Sequence, residues 1–158
     1  MKLGFFTANF TEKPLEDVAK LVSKYGYEAL EIPAYEGNGQ LETKEVIKGN
    51  NAQQIRKMVS SYGLSIAALS NHADSFLIMG PKGKDTDFIF KGTAEEKIKH
   101  GTESLIRTAQ AANALEVPVV VGYPGVENWG RFFFFPYGQG WAEYEQQFAE
   151  RFTPILDK

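Results

Sequence analysis

Val22-Ser23-Lys24-Tyr25-Gly26-Tyr27-Glu28-Ala29-Leu30-Glu31-Ile32 decides how this chain folds. Leu15, Val18, Leu21, Val22 and Tyr25 share one helical face, spaced as the buried stripe of an amphipathic helix. Gly26 sits where a helix stops, because glycine adopts the left-handed C-terminal conformation without a Cβ clash. Two residues later Glu28–Ile32 reads as a strand. The same punctuation returns 37 residues on, from Gly26 to Gly63, in Val59-Ser60-Ser61-Tyr62-Gly63 followed by Leu64–Ser70. A helix, a glycine stop and a strand, repeated, is the signature of alternating strand–helix units.

Working outward, Lys2–Phe10 carries Leu3, Phe5, Phe6, Thr7 and Phe10 and reads as the first strand. Pro14 suits the first turn of the helix after it, and Thr11 is placed to cap that helix. A polar stretch from Pro33 to about Asn50 leads to a helix beginning near Asn51 that buries Ile55, Met58, Val59 and Tyr62. After a second long loop, Thr93-Ala94-Glu95-Glu96 forms a capping box, in which the Thr hydroxyl and the Glu carboxylate satisfy each other's early backbone donors. That helix runs to about Leu115. Val117–Gly122 is the fourth strand, and its Val119-Val120-Val121 run suits burial on both faces. Trp141, Tyr144, Phe148, Phe152 and Ile155 mark a last helix, with Pro154 predicting a kink or an early stop.

Alternating strands and helices predict an α/β fold: four consecutive βα units with a parallel sheet. Eight such units close into a barrel of roughly 250 residues, and 158 residues are too few for one. The expectation is a single partial domain over residues 1–158, the amino-terminal half of a (β/α)8 barrel. Helix-to-strand links are short, whereas three of the four strand-to-helix links exceed the usual two to six residues. Long loops therefore gather at the carboxyl ends of the strands, where ligands bind in parallel α/β folds.

A formal net charge of −3 gives no electrostatic reason to seek nucleic acid or an anionic membrane. With no cysteine, disulfides and thiolate metal sites are excluded. No stretch approaches the roughly 20 apolar residues of a membrane span, and the start lacks the apolar run of a signal peptide. The expected location is cytoplasmic.

Asn9, Phe10, Glu31, Asn71, His72, Asp74, Tyr123 and Glu127 follow the strands and are the functional candidates. His72 can ligate a metal or hydrogen-bond a substrate hydroxyl; the same position also fits a solvent-facing loop histidine. His100 reads as a surface residue in mid-helix, and Asp74 as a turn former. Glu31 is costly to bury unless paired, which fits a sugar hydroxyl, an arginine or a structural salt bridge equally. Trp129, Phe132 to Phe135, Tyr137 and Trp141 make a dense aromatic loop able to stack on sugar C–H faces or to act as a lid. Arg131 is a weak phosphate candidate. Lys82-Gly83-Lys84 reads as a solvated loop. Walker, Gly-x-Gly-x-x-Gly and Gly-x-Ser-x-Gly signatures are absent.

Five segments carry a resemblance. They are Gly26–Ile32, Ile66-Ala67-Ala68-Leu69-Ser70-Asn71-His72, Gly92–Ile98, Ala111-Ala112-Asn113-Ala114-Leu115-Glu116-Val117-Pro118-Val119-Val120 and Phe148–Asp157. Together they resemble the sugar phosphate isomerase/epimerase group of xylose isomerase-like TIM barrels, a group that also includes endonuclease IV-like proteins. The resemblance implies a metal-dependent sugar (phosphate) isomerase or epimerase that moves a proton next to a carbonyl through an enediolate. A divalent metal (Mn, Mg, Co or Zn) is implied for the full-length parent, with ligands mainly from strands five to eight. None is carried onto this chain, with His72 the one possible ligand, and no catalytic residue is assigned. The chain alone is expected to be inactive. The wall it would supply consists of Phe6 and Phe10 as apolar lining, Glu31 and His72 as polar contacts, and Trp129 in the lid. Expected partners are a sugar or polyol, and either a homo-oligomer or a missing carboxyl-terminal half. One alternative is a non-catalytic half-barrel that binds sugar or pairs through its open edges. Another is an endonuclease IV-like phosphodiesterase, disfavoured by the acidic balance and the two histidines.

Overall fold

A parallel strand cannot turn straight back into its neighbour; it needs a crossover, usually a helix. This is the rule the chain follows. The computed structural model describes residues 2–127 and 140–158. Strands β1 (Gly4–Phe6), β2 (Ala29–Pro33), β3 (Ser65–Asn71) and β4 (Val120–Gly122) form one sheet in the order β1-β2-β3-β4. The strands are parallel, as half of a TIM barrel requires. The helices are α1 (Leu15–Ser23), α2 (Thr43–Val46), α3 (Asn51–Ser61), α4 (His72–Met79), α5 (Ala94–Ala114) and α6 (Gly140–Leu156). Among the described residues no helix is long and apolar enough to cross a membrane.

The chain divides into two compact units, Met1–Asn71 with Arg107–Val121, and His72–Ile106 with Gly122–Lys158. In the first, Leu30 and Ile32 of β2 and Leu69 of β3 join Val18 and Val22 of α1 and Val59 of α3 in one buried core. Neighbouring residues in the register share a face of the sheet, so Phe5 lies with Leu30, and Phe6 with Glu31. In the second unit Leu77 and Ile78 of α4 are fully buried, and Arg151 of α6 donates to the Ile78 carbonyl at 2.7 Å.

The repeated punctuation is real. Gly26 and Gly63 adopt φ of +79° and +74°, and each donates its N–H three residues back, to Ser23 and Ser60. The third helix-to-strand link has no glycine, and Glu116 takes the left-handed conformation instead, at φ +56°. Its carboxylate pairs with Arg56. The capping box forms as expected: Thr93 N–H donates to Glu96 at 2.7 Å, and Glu96 N–H to the Thr93 hydroxyl at 3.3 Å.

Several expectations need correction. The first strand ends at Phe6, because Thr7–Phe10 tightens into a 3₁₀ turn. Gln40 holds that turn, donating to the Phe10 carbonyl at 2.5 Å and accepting from the Thr7 hydroxyl at 2.6 Å. Thr11 does not cap α1; Pro14 occupies the cap position. Leu21 and Tyr25 are exposed rather than buried with Val18 and Val22. Val119 is exposed too, because β4 is a sheet edge. The second long loop contains α4, which the sequence pattern hid. Helix α6 passes through Pro154 and ends two residues later; so near a terminus, the missing N–H costs few bonds.

Gly63 tests the punctuation cleanly, since a Cβ there would meet nothing within 4 Å. Gly63→Ala therefore adds only conformational strain. It should lower unfolding stability by about 1 kcal/mol in urea titration, the left-handed penalty less the entropy gain of alanine.

Candidate functional site

The carboxyl ends of the strands set out the candidates. In the first unit β1 ends on Phe6, which is partly exposed, and β2 carries Glu31, half-buried, as its register partner. An aromatic ring beside a carboxylate can meet the C–H face and the hydroxyls of one polyol. Phe10 lies elsewhere. Its ring is 6.0 Å from that of Phe5 and packs against the core on the helix side, so the structure does not group it with Phe6 and Glu31. Asn9 is exposed in the 3₁₀ turn.

Behind these residues runs a buried polar framework that sequence reasoning missed. Thr108 of α5 donates to the Ala34 carbonyl just after β2 at 2.8 Å, and Asn71 at the end of β3 donates to the Thr108 hydroxyl at 2.9 Å. All three residues are fully buried. One threonine thus holds two strand ends in register. Nothing in a helical Thr-Ala-Gln-Ala run signals such a role. Arg107 and Lys44 both reach Glu36 in the following loop, at 3.6 and 2.6 Å.

In the second unit His72 opens α4, half-buried, its ring edge-on to Tyr123 with centroids 5.1 Å apart. Tyr123 follows β4 and is fixed by Ser75, which accepts from its N–H at 2.8 Å. Asp74 is no turn former. It lies buried in the first turn of α4, a place where a helix dipole favours an acid. Its carboxylate accepts from the Ser104 hydroxyl at 2.6 Å and lies 3.2 Å from Nε2 of His100. His100 is accordingly not a surface residue: it is largely buried and stacked on Phe90 at 4.3 Å. Gly101 makes this approach possible, since a Cβ there would fall 2.5 Å from the Asp74 carbonyl. A glycine in the middle of a long helix was the available signal.

In the Lys82-Gly83-Lys84 loop Gly83 and Lys84 are exposed, as a solvated loop requires, whereas Lys82 is not. Fully buried Lys97 donates to the Gly83 carbonyl at 2.5 Å and to Asp87 at 2.7 Å. Lys82 is largely buried and lies 3.3 Å from exposed Glu127. Burial pushes the Lys82 ammonium below its ordinary 10.5, the Glu127 charge only partly offsetting it. Trp129, Arg131, Phe132 to Phe135 and Tyr137 lie outside the described residues. Trp141 stands exposed in the first turn of α6.

Among the described residues no three His, Asp or Glu side chains converge as a metal would need. The divalent metal that the resemblance implies therefore finds no ligand set among the described residues.

Two consequences are measurable. Gly101→Ala should force α4 from α5 and cost about 2 kcal/mol by overpacking, with loss of the protected Ser104–Asp74 contact in NMR. For Lys82 the unfolded chain keeps its proton to a higher pH than the folded one. Stability should therefore rise as pH climbs through the folded titration toward 10.5, and Lys82→Met should flatten that rise in pH-dependent urea melts.

Comparison with known proteins agrees with this architecture. No curated protein sequence matches the chain. Among solved structures it is similar to 3-keto-D-glucoside 4-epimerase YcjR from E. coli, with a TM-score of 0.60 and 15% identity, covering 99% of this chain and 51% of that one. It is also similar to the probable 3-DHS dehydratase AsbF of petrobactin synthesis from Bacillus anthracis, with a TM-score of 0.56 and 14% identity, covering 99% and 47%. The chain spans about half the length of the structures it matches. At such identities the likeness is one of fold. Residues 19–158 match the family model described as xylose isomerase-like TIM barrel; with four parallel strands in one sheet, the chain belongs to that family.

Proposed function

We propose that this chain is the amino-terminal half of a sugar isomerase or epimerase, one that moves a proton on a carbon next to a carbonyl. The observation that carries the reading is the family match over residues 19–158. The named reaction of one structural neighbour supports it: a 4-epimerase acting on a 3-keto sugar inverts the carbon beside the ketone. A carbonyl makes the neighbouring C–H acidic, so a base and charge stabilisation suffice.

In this reading the chain's own residues bind and orient. Glu31 accepts from substrate hydroxyls, Phe6 covers a C–H face, and His72 contacts a hydroxyl while Tyr123 limits its ring movement. Phe10 supports the β1 end from the core side. A divalent cation in the full-length parent would draw its ligands from outside the described residues.

The test is binding first and turnover second. Saturation-transfer NMR on the purified chain should detect a 3-keto-glucoside weakly, with a dissociation constant on the order of millimolar. Glu31→Gln and His72→Ala should each weaken it roughly tenfold, about 1.4 kcal/mol. No binding of any keto sugar, or binding indifferent to both substitutions, overturns the reading. If the isolated chain with added Mn²⁺ epimerises the sugar at the rate of a complete enzyme, the half-enzyme idea fails.

A further inference from the structure

We propose that the loop after β2 and the start of α3 form a second small-molecule site, one that takes a neutral polyhydroxy compound, a monosaccharide or a sugar alcohol. The cleft lies wholly within the first compact unit, and neither Phe6 nor Glu31 lines it. The inference rests on this cleft alone and not on the isomerase reading.

The cleft measures about 290 Å³. Its walls are set by local bonds. Asn38 Oδ1 accepts the N–H groups of Gln40 and Leu41 at 2.8 and 3.1 Å, a side chain closing a turn on its own backbone. Glu42 caps α2 by accepting from the Lys44 N–H at 3.1 Å, and it also accepts from the Gly37 N–H. Gln40 is committed to the Thr7–Phe10 turn.

Asn38 is the informative residue. It lines the cleft and is only 5% exposed. Its Nδ2 is buried with no acceptor among the described residues. Because Oδ1 is held by two backbone donors, turning the amide over would lose both bonds. A buried donor left unpaired is unfavourable, and an oxygen bound in the cleft would pair it.

The remaining polar groups select the ligand. Asn51 spends its Nδ2 on the Glu45 carbonyl at 2.8 Å, and Gln54 its Nε2 on Asn50 at 3.1 Å. Each keeps its amide oxygen as an acceptor. Glu42 and Glu45 add carboxylates, the second paired with Lys48. One buried donor thus stands among several acceptors. Two carboxylates repel an anion. A metal ion or a simple ammonium brings no acceptor to Asn38. A hydroxyl serves both sides: its oxygen accepts from Asn38 while its hydrogen goes to a carboxylate or an amide oxygen. Several hydroxyls on one carbon frame use the several acceptors, and the C–H side of that frame meets Leu41 and Val46.

NMR titration of the isotope-labelled full chain with D-glucose and with D-glucitol tests this. The Asn38 side-chain amide should shift and saturate, with a dissociation constant on the order of millimolar. Inorganic phosphate and methylammonium should leave it in place. Asn38→Asp keeps the acceptor that closes the turn and removes the donor, so it should weaken binding at least ~10-fold, about 1.4 kcal/mol. Should that variant fail to fold, Gln54→Met decides. Gln54 is exposed on α3, so far-UV circular dichroism should not change while binding weakens at least ~3-fold. Glu31→Gln should leave the Asn38 titration unchanged, so a failure at the strand ends and a failure here are read separately. An Asn38 amide unmoved by either compound, as a cleft holding only water would give, overturns the proposal. So do equal shifts with phosphate or methylammonium, or binding that neither Asn38→Asp nor Gln54→Met weakens.

Discussion

Parallel pairing is the constraint from which the rest follows. Its strands must all point one way, so each connection crosses the whole unit and returns. Every strand then ends at the same rim, and every helix returns at the other. The two rims are treated differently here. The return links are three to five residues long, turned by Gly26, Gly63 and a strained Glu116. The polar chemistry sits at the strand ends and in the segments after them: Glu31 in β2, Asn71 ending β3, His72 opening α4, and the Gln40 that grips the Thr7–Phe10 turn.

Holding polar groups at a rim has a cost, because each must be paired when buried. The chain meets it with hydroxyls and an amide in the first unit, where Thr108 ties Ala34 to Asn71. It meets it with charge in the second, where Asp74 gathers Ser104 and His100, and Lys97 anchors the 83–87 turn. Both frameworks depend on α5, which contributes Lys97, His100, Ser104 and Thr108. The capping box at Thr93 fixes where that helix starts, and hence which residues fall on each of its faces. Residues that touch a ligand are accurate only when their supports are rigid.

This division explains what was legible in the sequence. Periodicity and glycine stops report local physics, so the four units, the parallel order and the capping box could be read from residues such as Gly26, Gly63 and Thr93. The register Phe6 to Glu31 follows once the order is known. What could not be read was tertiary. Leu21 and Tyr25 obey the helical stripe of α1 and yet stay exposed, because nothing among the described residues covers that side. Helix α4 was missed because its run His72–Met79 is nearly uniformly apolar after the first turn, with little periodicity to betray a helix. Asp74 and His100 are 26 residues apart, and only the notch at Gly101 brings them to 3.2 Å.

Inverting a carbon centre needs a proton removed on one side and returned on the other. On the proposed reading, a sheet of four strands would reach only one side of a substrate. Glu31 and Phe6 stand on one face of such a wall, and the described residues offer no converging set of three acidic or histidine groups to complete it. Among the described residues β1 and β4 end the strand order of the same sheet. Edge pairing and chemistry therefore make the same demand, a second set of strands opposite the first. Such a second set of strands would also place its own rim residues across from Glu31. On the proposed reading, closure of the barrel is what turns a binding wall into an active site.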